Sequence, residues 1–137
     1  MNIINQLVRT YYNEETWIKK PMSRKDAFNY HKRVVAKGNV IQCTAGNRLV
    51  GYVEFWRVNY EQLGRIVCNT GFSAYHENTV DGDICWLYGM WIDEEYRQGK
   101  VINKLKKELW EQTKNCKYIL GKEHKRNNRI RIYKGGR

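Results

Sequence analysis

Between Asp83 and Trp110 the chain reads DICWLYGMWIDEEYRQGKVINKLKKELW, and few folds accommodate that succession of patterns. Ile84 to Ile92 is a short apolar and aromatic run bounded by charge on both sides, the pattern of a buried strand. A polar connection follows, Asp93 to Gly99. Val101, Ile102, Leu105, Leu109 and Trp110 then recur at three- and four-residue steps among Lys, Glu and Asn, which predicts an amphipathic helix with these residues on one face. A strand, a basic glycine-containing turn and a helix together suit a phosphate. The first amides of a helix have no internal acceptor and the helix dipole adds partial positive charge there, so an anion is stabilised at that end. Arg97 and Lys100 add full charges beside it.

Two common phosphate motifs are excluded. There is no Gly-x-x-x-x-Gly-Lys-Ser/Thr and no Gly-x-Gly-x-x-Gly. Met90-Trp91-Ile92-Asp93-Glu94-Glu95-Tyr96-Arg97-Gln98-Gly99-Lys100 with the helix after it instead resembles the acyl-CoA-binding segment of the GCN5-related N-acetyltransferase (GNAT) superfamily. In that family Arg/Gln-x-x-Gly-x-Gly/Ala leads into the helix, and backbone amides hold the pyrophosphate of coenzyme A. With Arg97 in the first position, Lys100 stands where glycine is usual and Ile102 where glycine or alanine is usual. With Gly99 as the glycine, Tyr96 takes the first position and Val101 the last. A second point of resemblance is Val40 to Thr44 and Arg48 to Val58, two strand-like runs around Ala45-Gly46-Asn47, which match the opening hairpin of that fold.

The fold this implies is α+β, of the α/β-sandwich type. It is the acyl-CoA N-acyltransferase-like fold, a mixed central sheet with N-terminal helices, one cofactor-binding helix and a shortened C-terminal part. A length of 137 residues fits one such domain over residues 1–137. With 42% hydrophobic residues and five Trp the chain is not a disordered segment. No apolar run reaches the roughly 20 residues that span a bilayer, and no secretory plan is visible, so the expectation is a cytoplasmic protein without a membrane partner. Cys43, Cys68, Cys85 and Cys116 are dispersed without Cys-x-x-Cys or His at ligand spacing, so no metal site is expected.

Charge is unevenly placed. The formal net charge is +11; residues 1–96 hold 11 basic and 11 acidic residues, whereas residues 97–137 hold 14 and 3. A basic surface beginning at the turn suits an anionic cofactor, and its excess points to a second anionic partner, nucleic acid or an acidic protein, or to a solvated surface that aids solubility.

Elsewhere, Asn2 to Asn13 reads as a helix with Asn2 as its cap and a stripe of Ile3, Ile4, Leu7, Val8 and Tyr11. Trp17 and Ile18 lead to Pro21. Ser23 with Asp26 starts a second helix through Lys37, with Ala27, Tyr30, Val34 and Val35 inward and Gly38 as its stop. Gln62 to Thr70 is ambiguous between a short strand and a helical turn. Gly71 to Gly82 has loop composition, and His76 within it is a candidate general base or a solvated loop histidine. Lys117 to Gly121 and Arg129 to Tyr133 read as strands, the latter with Ile130 and Ile132 on one face, and only Lys122 to Asn128 is available for the helix that family members place between them.

What the resemblance implies chemically is transfer of an acetyl group from acetyl-CoA to an amine acceptor, by direct attack in a ternary complex. The pantetheine would pair with Met90 and Ile92, the backbone near Trp91 would polarise the thioester carbonyl, and the turn and helix start, Arg97, Gln98, Gly99, Lys100, Val101, Ile102 and Asn103, would hold the phosphates. Glu54 and Asp83 are candidate bases, each a carboxylate in or abutting an apolar strand, where lost solvation tunes a carboxylate for proton transfer. Tyr88 and Tyr133 are candidate acids for the leaving thiolate. The alternative is a non-catalytic module of the same fold whose basic face, with Lys100 and the tail residues Arg126, Arg129, Arg131, Lys134 and Arg137, binds nucleic acid or an acidic protein. A small cationic amine is a less attractive acceptor for so basic a surface.

Overall fold

The computed structural model describes residues 2–14, 23–68, 82–123 and 129–134. The readings made for Trp17, Ile18, Pro21, His76, Arg126 and Arg137 lie outside them. In chain order the elements are α1 (Ile3–Glu14), α2 (Arg24–Ala36), β1 (Val40–Ala45), β2 (Arg48–Val58), α3 (Tyr60–Cys68), β3 (Ile84–Ile92), a 3₁₀ turn (Glu94–Tyr96), α4 (Lys100–Gln112), β4 (Tyr118–Glu123) and β5 (Arg129–Lys134). The five strands form one mixed sheet in the order β1-β2-β3-β4-β5, with β1 and β2 antiparallel, β3 and β4 parallel, and β4 and β5 antiparallel. No helix among the described residues is long and apolar enough to cross a membrane. The chain divides into two compact units, Met1–Glu54 with Gly89–Leu109, and Phe55–Tyr88 with Trp110–Arg137.

In the first unit the caps and stops fall where side-chain chemistry puts them. The Asn2 Oδ1 accepts from the Asn5 amide at 2.9 Å, and the Ser23 hydroxyl accepts from the Asp26 amide at 3.2 Å. Gly38 follows α2 at φ +70°, a left-handed position that glycine takes without strain. Leu7, Leu49 and Tyr52 bury together, joined by Ile3, Val35, Val40 and Trp91, while Val8, Tyr11 and Ala27 form a second cluster under Ile4 and Tyr12. Gln6 ties α1 to the hairpin by donating to the Asn47 carbonyl at 2.9 Å and accepting from the Leu49 amide at 2.6 Å. The β1–β2 pairing steps from Cys43↔Gly51 to Thr44↔Leu49, which leaves Val50 as the extra residue of a bulge. The Val50 carbonyl accepts from the Asp93 amide at 2.8 Å.

In the second unit Phe55, Trp56, Val58, Ile84, Cys85, Trp86, Ile119 and Leu120 are buried. Arg57 closes the C-terminal end of α4, its guanidinium donating to the Gln112 carbonyl at 2.7 Å and to the Cys116 sulfur at 3.4 Å. A cation at a helix C-terminus satisfies a carbonyl and complements the dipole. The segment ambiguous between strand and turn is a helix, α3. Asn59 and Gln62 cap it reciprocally: the Gln62 amide donates to Asn59 Oδ1 at 2.8 Å and the Asn59 amide to Gln62 Oε1 at 3.0 Å. Lys122 and Glu123 extend β4, and residues 124–128 lie outside the described part.

One packing expectation is corrected. Trp110 is 38% exposed, whereas Val101, Leu105 and Leu109 are buried. At 100° per residue Trp110 lies roughly 140° around α4 from the centre of that buried stripe, so it cannot share the face. On β5, Ile132 is 61% exposed and Ile130 half-buried.

Candidate active site

The turn after β3 is held by a latch that sequence reasoning missed. Asp93 accepts from the Glu95 amide at 3.0 Å through Oδ1 and from the Arg48 guanidinium at 2.8 Å through Oδ2. Arg48 also lies over the Tyr96 ring at 5.7 Å. Its hydrogen bond to the Asp93 carboxylate holds the Arg48 guanidinium above its ordinary range, so it stays charged at any working pH. Arg97 folds back onto the strand end, its Nε donating to the Ile92 carbonyl at 2.9 Å, so part of its donor capacity goes to shaping the turn. Nothing local in the sequence pairs Arg48 with Asp93, which lies 45 residues away.

Gly99 has φ +88°, and α4 starts on it: the Asn103 amide donates to the Gly99 carbonyl at 3.0 Å, and the Lys100 amide turns back to the Gln98 carbonyl at 3.2 Å. Helix geometry leaves the amides of Val101 and Ile102 without an intrahelical acceptor. Val101 is buried, and its Cγ1 is 2.9 Å from where a β-carbon on Gly51 would sit. Its bulk therefore lies against the sheet, and Gly51 lets the helix start approach β2. Ile102 is half-buried, and Lys100 and Gln98 are exposed. On β3 Met90 is 51% exposed, Ile92 is buried, and Trp91 packs toward Tyr52 at 6.1 Å between ring centres. Asn103 is exposed, but its amide is taken by the first helical bond.

On the α1 side of the same unit, Gln6, Arg9, Thr10, Asn13, Arg48, Leu49, Trp91 and Asp93 line a recess of about 180 Å³. Two guanidinium groups against one carboxylate make it a poor seat for an ammonium ion.

Of the candidate proton-transfer groups, only Glu54 shares a unit with the turn. It is fully buried, and its Oε2 lies 2.8 Å from Nδ1 of His31, equally buried on α2. Glu54 Oε1 and His31 Nε2 have no hydrogen-bond partner among the described residues. His31 went unnoticed in the sequence although it falls inside the α2 stripe, directly after Tyr30. In the other unit Asp83 precedes β3 with its side chain 59% exposed, 3.8 Å from the Lys117 ammonium. The loss of solvation that motivated both carboxylates is thus found at Glu54 and not at Asp83. Tyr133 is half-buried under the Arg131 guanidinium at 4.9 Å, its ring edge 3.3 Å from where a Gly121 β-carbon would sit, on the same face as Leu87. Tyr88, the next residue after Leu87, is half-buried and belongs to the opposite face, so the structure does not bring the two tyrosines together. No cluster of three or more His, Cys, Asp or Glu able to hold a metal occurs among the described residues.

By sequence, no family model and no curated protein matches the chain. By structure it is similar to an N-acetyltransferase from Staphylococcus aureus Mu50, with TM-score 0.57 and 10% identity over 87% of this chain and 66% of that one. It is similar to GphF, a GNAT-like decarboxylase solved in complex with isobutyryl-CoA, with TM-score 0.60 and 13% identity over 87% of this chain and 60% of that one. A ribosomal-protein-alanine N-acetyltransferase from Brucella melitensis gives TM-score 0.52 and 12% identity over 87% of this chain and 65% of its own. The chain thus spans less than two thirds of each of these proteins. Mixed sheet, strand-turn-helix and these likenesses agree: the chain has the GNAT acyl-CoA N-acyltransferase-like fold.

Proposed function

We propose that the protein is an N-acyltransferase that moves an acyl group, acetyl in the simplest case, from coenzyme A to an amine. The observation that supports this most is the start of α4, where Gly99 at φ +88° turns the chain so that the amides of Val101 and Ile102 stand without helical acceptors beside an exposed Lys100. Those two amides with the Lys100 ammonium would hold the pyrophosphate, and Met90 to Ile92 would offer strand backbone to the pantetheine. Bound there, coenzyme A supplies an activated acyl thioester. The chain's own part is to orient and to move protons. Glu54, desolvated and able to share a proton with His31, is the first candidate base, and Asp83 the second; Tyr88 and Tyr133 are the candidate acids. The same reading sets the protein in the cytoplasm, supported by Cys43, Cys85 and Cys116, which are buried thiols and not disulfides.

Calorimetric titration with acetyl-CoA tests the reading. Saturable binding in the micromolar range is expected, and folded protein that takes up no acetyl-CoA overturns it. If binding holds, Glu54→Gln should lower turnover more than Asp83→Asn.

A further inference from the structure

We infer that the recess bounded by α1, the start of β2 and the end of β3 binds a small aliphatic monocarboxylate. Arg9 and Arg48 hold its carboxylate, and its carbon chain lies against Leu49 and Trp91. All the lining residues belong to the first unit, so the site is complete within it. The recess offers many donors and few open side-chain acceptors. Gln6 Oε1 already accepts from the Leu49 amide, and Asp93 accepts from the Glu95 amide at one oxygen and from Arg48 at the other. Thr10 gives its hydroxyl proton to the Gln6 carbonyl at 2.9 Å. An ammonium carries three donors and no acceptor, so it finds little here to receive them. A carboxylate is acceptor-only and meets two guanidinium groups, each a fork of five N–H donors, with the Asn13 amide beside them.

Charge and size narrow the ligand further. Arg9 and Arg48 against Asp93 leave one positive charge. A monocarboxylate cancels it, whereas a phosphate monoester, at about −1.5 to −2, overshoots. Buried Leu49 and half-buried Trp91 supply an apolar wall that an inorganic anion leaves unused. The volume of about 180 Å³ is close to the ~150 Å³ of a cavity that holds benzene, which leaves room for about five or six carbons. Arg48 is in place before any ligand arrives, held by the 2.8 Å bond to Asp93 and by the Tyr96 ring at 5.7 Å, so binding does not have to order it.

The site needs neither coenzyme A nor the open amides of α4, so it stands apart from the acyltransferase reading. Titration of isotope-labelled protein with isovalerate, followed by nuclear magnetic resonance, is the test. Saturable shifts at Asn13, Arg48 and Leu49 are expected, with Kd on the order of millimolar for so small a ligand. Isovaleramide has the same shape without the charge and should bind at least about tenfold more weakly, as should isovalerate to Arg9→Gln. Arg9 is exposed, so this variant should keep its circular-dichroism spectrum, and the comparison of the two ligands on wild type needs no variant. Valine, which is isovalerate with an added α-ammonium, should also bind more weakly. Absence of saturable shifts in folded wild type, equal binding of the amide or of valine, undiminished binding by folded Arg9→Gln, or tighter binding of inorganic phosphate than of isovalerate would each overturn the proposal. Failure of acetyl-CoA to bind would sink the acyltransferase reading alone.

Discussion

Glu54 and His31 present the sharpest energetic question in the molecule, because both side chains are fully buried and each carries one polar atom with no partner among the described residues. Their shared 2.8 Å contact offsets part of the desolvation, and the Tyr30 and Tyr11 rings meet the imidazole edge-on at 5.0 and 5.8 Å. Removing one partner strands the other in the core. Glu54→Ala or His31→Ala should therefore cost about 3–5 kcal/mol by urea denaturation, and the double change to leucine far less than the sum of the two. Gly99 poses a different question. Among the described residues nothing lies within 4 Å of an added β-carbon there, so Gly99→Ala acts through backbone alone, at about 1–2 kcal/mol for the left-handed conformation. Its second effect should be weaker acetyl-CoA binding, read by calorimetry, because relaxing φ re-aims the two open amides. Sequence alone marked Glu54 as a carboxylate in an apolar strand and Gly99 as the glycine of the turn. It did not pair Glu54 with His31, since a contact across 23 residues leaves no periodic trace.

At the scale of elements, legibility tracked local chemistry. β2 and β3 fell on their apolar runs, and α1 and α2 on their caps, because strand burial and capping are written within a few residues. The same kind of signal was present for α3, in Asn59 and Gln62 three apart, but the aromatic and β-branched residues around it obscured the helix. Asn59→Ala should cost about 1 kcal/mol in stability, the usual worth of an N-cap, with no effect on acetyl-CoA binding. Where α4 meets β2, packing decides, and no pattern announces it. A β-carbon on Gly51 would come 2.9 Å from Val101 Cγ1 and 3.3 Å from Leu105 Cδ1, neither on a long flexible side chain. Gly51→Val should thus cost ~1–3 kcal/mol through overpacking and weaken acetyl-CoA binding, because it lifts the helix start that bears the open amides. A loss of stability with cofactor affinity intact would show that the helix start tolerates displacement.

For the whole molecule the governing quantity is its charge of +11. Two effects with opposite salt dependence compete. Ion pairs weaken as salt rises, but on the described surface these pairs are open: Arg48–Asp93 has side chains 54% and 19% exposed, Arg65–Glu61 41% and 73%, and Lys117–Asp83 60% and 59%. Pairs this exposed contribute little to stability. Repulsion is relieved by salt, and on α4 alone Lys100 and Lys104 stand four apart and Lys104 and Lys107 three apart, each such like-charge pair costing ~0.2–0.5 kcal/mol. Summed over an excess spread through residues 97–137, repulsion should win. The thermal midpoint should accordingly rise from tens to hundreds of millimolar NaCl, as the screening length drops to about 10 Å at 0.1 M. K104Q/K106Q/K107Q, which takes the formal charge from +11 to +8, should melt higher than wild type at low salt and respond less to added salt. Should wild type melt lower as salt rises, ion pairs would dominate and the lysines would carry no stability cost. If the midpoint behaves as argued, the lysine face is a feature that the folded state tolerates at a loss.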